Sequence, residues 1–267
     1  MTTMKRSHVN EDVARAALIA SCLRMSELGI NQGKSGNASL RWHRGGEMGL
    51  LITPSGIAYD RLGVDDIAWL PLQDITGDEH DRDLSGSSSA SAAQVTPATL
   101  TLPLRFDGLH APSSEWRIHH DLMAQRPEVG AILHAHPVFA TTLACSARVQ
   151  REGIPAFHYM IAVAGGDTIR CAPYARFGSA YLSTLALGAL AGRRACLLAN
   201  HGLLALGADL ESALALALEV ETLSHMYWQL LQLGDAVILT AEEMQRVGEL
   251  FKEYGRPRTT AAGCTSD

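Results

Sequence analysis

Three histidines close apolar runs in this chain. His134 and His136 lie in VGAILHAHP (129–137), and His201 lies in LLANHG (197–202). The run 129–133 predicts a short buried strand. Successive strand side chains alternate faces, so His134 and His136, two apart, point the same way and form a chelating pair. His201 follows a second apolar run, 195–199, and precedes a glycine, where a strand or its exit loop brings it to the same spot. Three neutral imidazoles with a fourth position open are the donor set of a catalytic zinc-type site. A His-x-His pair is also an ordinary strand feature. Here Pro137 and Gly202 follow directly, placing the histidines where a loop opens rather than inside a core. Glu115, near the start of a predicted helix, reads in two ways. It is either a surface residue complementing the helix dipole or, given the histidine strand that follows, a general base beside a metal.

The elements that must position these groups come in a mixed order. Asn10 caps a first helix with Glu11 and Asp12 in its first turn, and Gly29 closes it. The turn NQGKSG leads into a short strand, and LLITPSGIAYDRL is a strand broken at Thr53-Pro54-Ser55-Gly56. Turns of Gly, Asn, Ser and Thr at strand ends are common punctuation and also form backbone nests for phosphate. Between about 74 and 110 the sequence is rich in Ser, Ala and Asp without an apolar face, which predicts a mobile surface insertion. Ser113 or Ser114 caps a helix running to Gln125, stopped by Pro127. Further helices are predicted over 138–146, 180–190, 212–233 and 241–254. The third of these, 212–233, is apolar on nearly all sides, as expected of one packed between layers or subunits, with His225 in a packing or surface role. The tail 256–267 is expected to be disordered.

Composition limits what such a site belongs to. With 267 residues, 47% hydrophobic and 19% charged, the chain is expected to form one large α/β domain over 1–267. A net charge of −6 excludes a sequence-independent nucleic-acid surface, which needs clustered Lys and Arg. Five scattered cysteines without a CxxC suggest neither a disulfide framework nor a cysteine zinc site, and fit a reduced, cytoplasmic compartment. The first residues lack the apolar stretch of a signal peptide. No run reaches the roughly 18 apolar residues of a membrane span.

Seven ordered blocks carry a further signal: GINQGKSGNASLRW, LLITPSGIAYDRL, PSSEWRIHHDLM, HAH, AFHYMIAVAGGDTIRCAPYARFGS, NHGL and LFKEYG. Together, from about Asp12 to Gly255, they resemble the class II aldolase/adducin family, most closely its members acting on L-fuculose 1-phosphate. The resemblance implies a three-layer α/β/α fold with a central mixed, mostly antiparallel sheet. It also implies a homotetramer with active sites at subunit interfaces. Carried over residue by residue, His134, His136 and His201 would hold Zn2+, or Mn2+ or another divalent ion, with Glu115 as the acid/base. Asn37, Ser55, Gly56, Ser113 and Ser114 would hold the substrate phosphate. Tyr159 from a neighbouring subunit would be the proton donor, Phe177 would form an aromatic wall, and Tyr254 would lie near the aldehyde. Asn200 departs from the pattern, standing where the fuculose-phosphate members carry a second histidine.

The implied reaction is reversible cleavage of a ketose 1-phosphate, L-fuculose 1-phosphate-like, to dihydroxyacetone phosphate and an aldehyde. Removing the proton from C1, the hydroxymethyl carbon of dihydroxyacetone phosphate, leaves an enediolate. A divalent Lewis acid with neutral ligands keeps its full charge to stabilise that species. A same-class alternative acts on 5-deoxyribulose 1-phosphate or 5-methylthioribulose 1-phosphate. Ribulose-5-phosphate 4-epimerases share the triad but place an aspartate where this chain has Glu115. A non-enzymatic adducin-like module would have lost ligands that are all present here.

Overall fold

The computed structural model describes residues 2–73 and 105–253, with side chains from 11 to 73 and from 105 to 251. Its strands are β1 (Asn37–Arg44), β2 (Glu47–Ile52), β3 (Ala68–Pro71), β4 (Ala131–Ala135), β5 (Ile154–Pro155), β6 (Thr168–Ile169), β7 (Cys171–Ala172), β8 (Ala195–Leu198) and β9 (Gly202–Gly207). Its helices are α1 (Thr2–Glu27), α2 (Trp116–Gln125), α3 (Val138–Ala144), α4 (Ala147–Glu152), α5 (Ala180–Ala189), α6 (Leu210–Leu233) and α7 (Ala241–Glu253). Seven strands form one sheet in the order β3-β2-β1-β4-β9-β8-β7, and β5 pairs with β6 apart from it. Every pairing in the large sheet is antiparallel except β7 with β8.

Both faces of this sheet are covered. On one, Ala131, Leu133 and Ala135 of β4 and Leu203 and Ala205 of β9 pack with buried residues of α1, α3, α4 and α6. On the other, Ile132 of β4 and Leu204 and Leu206 of β9 pack with Trp116, Ile118 and Leu122 of α2 and with Leu182 and Ala186 of α5. The arrangement is a three-layer α/β/α sandwich with a mixed, mostly antiparallel sheet. Double coverage explains why β4 reads as an unbroken apolar run: all five of its residues are buried. Cutting Leu133 back to Ala would cost about 3 kcal/mol, the usual scale for a core leucine.

One side chain fixes how α2 enters β4. Arg41 of β1 donates from Nε to the Val129 carbonyl (2.8 Å) and from Nη2 to the carbonyls of Met123 (2.7 Å) and Arg126 (2.9 Å). The end of the helix and the start of the strand are thereby held on β1, which carries Asn37 at its other end.

Several elements differ from the sequence expectation. The first helix begins at Thr2, so Asn10 lies within it instead of capping it. β4 starts two residues later than 129 and includes His134. β9 and α4 were not anticipated, since β9 follows β8 through a three-residue turn and reads as one apolar stretch with it. The α6 helix begins at Leu210, where Asp209 and Ser212 form a capping box. Its inner side is buried, while Leu218, Met226 and Trp228 are partly exposed on its outer side. His225 stacks on Phe139 at 3.7 Å, a packing role. Of the predicted insertion, residues 74–104 lie outside the described residues, as does the tail. Residues 105–110 are tied down: Asp107 exchanges backbone hydrogen bonds with Trp69 (2.7 and 2.9 Å), and Arg105 pairs with Glu47 at 2.8 Å. No helix among the described residues is long and apolar enough to cross a membrane.

Candidate metal centre and active site

The three histidines converge because of local chain chemistry at two strand ends. His134 is the fourth residue of β4, opposite Asn37 on β1 and Leu204 on β9. His136 follows the strand, and its backbone N–H donates to Asn31 Oδ1 at 3.2 Å. Asn31 is itself buried, its amide bonded to the Tyr59 hydroxyl (3.1 Å) and to the Ser35 carbonyl. Beyond Pro137, the Glu221 carboxylate accepts the N–H groups of Phe139 (2.9 Å) and Ala140 (2.8 Å), which pins the start of α3. His201 sits in the β8–β9 turn. There Asn200 takes a left-handed φ of 54°, a conformation Asn tolerates better than most residues. Gly202 next to it admits no side chain, because a Cβ would lie 2.5 Å from the Ala135 carbonyl oxygen and from the His136 ring.

The ring centroids of His134 and His136 are 4.6 Å apart, those of His134 and His201 4.8 Å, and those of His136 and His201 5.1 Å. One nitrogen from each lies within 4.8 Å of the others. His134 Nδ1 is 3.0 Å from the Leu203 carbonyl, so that nitrogen carries the proton and Nε2 is the free donor atom. Glu115 Oε2 is 3.1 Å from His134 Nε2, and Oε1 is 3.3 Å from His201 Nε2. His134 Nε2, His136 Nε2 and Glu115 Oε1 are nevertheless buried without a hydrogen bond. Buried polar atoms are rarely left so. Three orphaned or poorly paired donor atoms converging beside a carboxylate fit a divalent metal.

Charge supports the same fit. Burial raises the Glu115 carboxyl, but His134, His201 and the Asn37 amide outweigh it and hold it well below the usual carboxylate range. Burial and the neighbouring His134 push His136 down to about 3 and His201 down to about 4. For His134, burial works downward, but Glu115 and the Leu203 carbonyl outweigh it and raise the group. Two of the three imidazoles are therefore neutral at neutral pH, the form that ligates metals.

Above this centre opens a cleft of about 330 Å³ lined by Lys34–Asn37, Ser55, Gly56, Ser113, Ser114, Glu115, His136, Tyr174, Phe177, Asn200 and His201. It brings together Asn37, Ser55, Gly56, Ser113, Ser114, Glu115 and Phe177 as the sequence suggested, with two differences of detail. The helix cap position falls to Glu115 rather than to a serine, and its side chain turns to the histidines instead of capping α2. Ser113 Oγ accepts the Glu115 N–H (3.3 Å), and Ser55 Oγ accepts the Ser114 N–H (2.9 Å). The Asn37 side chain also faces inward, donating from Nδ2 to Glu115 Oε2 at 3.0 Å.

Tyr159 is not in the cleft. It begins a 3-10 turn (Tyr159–Ala164), is 49% exposed, and lies 6.3 Å from the Phe251 ring. Tyr254 lies outside the described residues. Sequence reasoning missed Lys34, Tyr174, Asn31 and His119. Lys34 stands in a glycine turn whose sequence signal is its backbone. His119, four residues after Glu115 on α2, was detectable by helical spacing alone.

The α/β/α fold with a three-histidine centre and adjoining glutamate defines a class of metal-dependent lyases. Residues 16–228 match the family described as Class II Aldolase and Adducin N-terminal domain. The chain is 44% identical over 241 residues to the 5-methylthioribulose-1-phosphate/5-deoxyribulose-1-phosphate aldolase of Rhodospirillum rubrum, covering 90% of this chain and 92% of that one. It is 40% identical over 239 residues to an L-fuculose phosphate aldolase of Escherichia coli, covering 89% and 94%. Among solved structures, an L-fuculose 1-phosphate aldolase matches with a TM-score of 0.71 at 34% identity, covering 89% of this chain and 95% of that one. The chain belongs to the class II aldolase/adducin family, and with its histidine cluster complete it is a metal-dependent aldolase.

Proposed function

We propose that the chain cleaves 5-methylthioribulose 1-phosphate or 5-deoxyribulose 1-phosphate to dihydroxyacetone phosphate and the corresponding aldehyde. This reverses the order expected from the sequence, which put L-fuculose 1-phosphate first. The observation that carries the aldolase reading is Glu115, buried between two imidazoles of the cluster and opening onto a cleft of hydroxyl and backbone donors. The choice of substrate is supported by the 44% identity to the methylthioribulose/deoxyribulose enzyme against 40% to the fuculose enzyme. Tyr174, Ala175 and Phe177 on the cleft wall also suit an apolar methyl or methylthio tail.

His134, His136 and His201 would hold the metal, zinc by their all-imidazole donor set, with manganese as the other candidate. When bound, such an ion supplies Lewis-acid stabilisation of the negative charge that develops on the two oxygens of the enediolate. Ser55, Gly56, Ser113 and Ser114, with the Gly36–Asn37 turn, hold the phosphate through hydroxyl and N–H donors, and Lys34 on the cleft lining adds a cation. In cleavage, Tyr159 of a neighbouring subunit takes up the proton of the C4 hydroxyl as the C3–C4 bond breaks. The bond's electron pair passes to the enediolate, the former C3 takes a proton from protonated Glu115, and exchange with solvent carries the proton gained by Tyr159 back to Glu115 for the next turnover. A homotetramer would bring Tyr159 to the cleft, in keeping with its exposure and its absence from the cleft lining of its own chain.

The metal-loaded protein is tested with all three ketose 1-phosphates, following dihydroxyacetone phosphate release. The two ribulose derivatives should exceed L-fuculose 1-phosphate by about tenfold or more in kcat/KM, the discrimination expected of a hydrophobic pocket. Faster cleavage of L-fuculose 1-phosphate would reverse the assignment. Epimerised ketopentose phosphate without triose release would replace the aldolase reading with the 4-epimerase one.

A further inference from the structure

We infer that His119 is a positioning residue: as its Nε2–H tautomer it locks the Asn37 amide so that Asn37 donates to Glu115, holding that carboxylate against the histidines. The inference rests on the reading of Glu115 as the acid/base.

Hydrogen-bond logic leaves one arrangement. The Asn37 atom 3.0 Å from Glu115 Oε2 is the amide nitrogen, which donates to that carboxyl oxygen. The other end of that amide, Oδ1, then faces His119 Nε2 at 2.6 Å. An amide oxygen accepts, so Nε2 carries a proton. His119 is fully buried, and burial, with His134 nearby, pushes it down to about 3, so it is neutral and has one N–H. Nδ1 is therefore an acceptor, and the Ser39 hydroxyl 2.7 Å away donates to it. The chain runs Ser39 Oγ–H to His119 Nδ1, His119 Nε2–H to Asn37 Oδ1, and Asn37 Nδ2–H to Glu115 Oε2.

The fold makes this brace rigid. Asn37 and Ser39, two apart on β1, share the sheet face that α2 covers, and Glu115 and His119, four apart, share one side of α2. Reversing any one donor would leave two acceptors facing each other in a dry core, so the tautomer of His119 and the orientation of Asn37 are coupled. Ser39 and His119 are both 0% exposed and neither lines the cleft. The two ring nitrogens of His119 bond Ser39 and Asn37, so it acts on Glu115 through Asn37.

His119→Leu removes the donor that orients Asn37. His119→Gln restores it, because a glutamine amide offers an N–H to Asn37 and an oxygen to Ser39 about as far apart as the ring nitrogens. In the metal-loaded enzyme, His119→Leu should slow proton exchange at C1 of dihydroxyacetone phosphate, and kcat, by about 10²-fold. KM and bound metal per chain should stay within about twofold, and His119→Gln should recover all but about fivefold. In wild type, ¹⁵N spectra should show His119 protonated at Nε2 and an acceptor at Nδ1. A His119→Leu enzyme with full exchange overturns the inference, as does loss of metal and substrate affinity in parallel with kcat, or an Nδ1–H tautomer. If His119→Leu does not fold, the tautomer and His119→Gln decide. If Glu115→Gln itself keeps full exchange, the acid/base reading fails instead, an outcome separable from failure of His119 alone.

Discussion

Glu115 and His134 lie 19 positions apart in sequence, and the structure sets Glu115 Oε2 3.1 Å from His134 Nε2. The carboxylate thus occupies the direction in which the imidazole would bind a cation, and its other oxygen is 3.3 Å from His201. In the proposed mechanism the pair joins an acid/base to a metal site, two functions that mutation separates.

Replacing Glu115 with Gln keeps the shape and removes the base. Bound metal should remain near one per chain, while proton exchange at C1 of dihydroxyacetone phosphate falls by about 10²–10⁴-fold, the range of general acid–base contributions. Exchange followed by NMR in deuterated water measures this. Unchanged exchange would place the base elsewhere.

Metal removal should abolish cleavage, and zinc or manganese should restore it. His201→Ala should lower bound metal to a small fraction of one per chain and kcat by about 10³-fold, equivalent to about 4 kcal/mol of transition-state stabilisation. Elemental analysis beside activity is the check. Full activity in metal-free protein would refute the role of the cluster.

Shared sites can be tested by mixing subunits. Glu115→Gln and Tyr159→Phe enzymes should each be nearly inactive. Refolded together in equal amounts with random assembly, a closed ring of head-to-tail contacts pairs an intact Glu115 with an intact Tyr159 at about 25% of sites, so about 25% of activity should return. No recovery, with mixed tetramers shown by mass spectrometry, would put both groups on one chain, and a fully active Tyr159→Phe enzyme would leave Tyr159 without a role.

Glu11 predicts an acid-sensitive stability far from the site. Its carboxylate is 4% exposed and accepts from Arg15 Nη2 at 2.7 Å, Arg44 Nε at 2.9 Å and Trp42 Nε1 at 3.2 Å. Burial raises the carboxyl, but the Arg44 and Arg15 hydrogen bonds and charges outweigh it, and the folded value lies below the unfolded one. Its stabilisation is therefore complete above the unfolded value of about 4.3 and is lost as pH falls through the folded value. Glu11→Gln should cost about 2 kcal/mol at pH 7, since Arg44 is partly solvated, and the gap to wild type should narrow as pH drops below about 4. Denaturant melts at pH 7 and pH 3.5 measure it, and a gap independent of pH would sink the argument.

What the sequence determined by itself was chemistry that short-range geometry controls. A two-residue strand period put His134 and His136 on one side, the Asn-His-Gly turn released His201 at a strand end, and Ser and Gly turns announced a donor-rich cleft. The family resemblance carried by the ordered blocks then implied the three-layer fold. Tertiary structure alone decided the rest. β9 was hidden because a sheet covered on both faces erases the alternation that marks a strand. Glu115 was ambiguous because a carboxylate at a helix start has the same local chemistry on a surface as beside a metal. Asn37 and Glu115 are 78 positions apart, and only the packing of α2 on β1 brings them into contact. His119 lay unread for the same reason: its tautomer is set by Asn37 and Ser39, partners that no local pattern names.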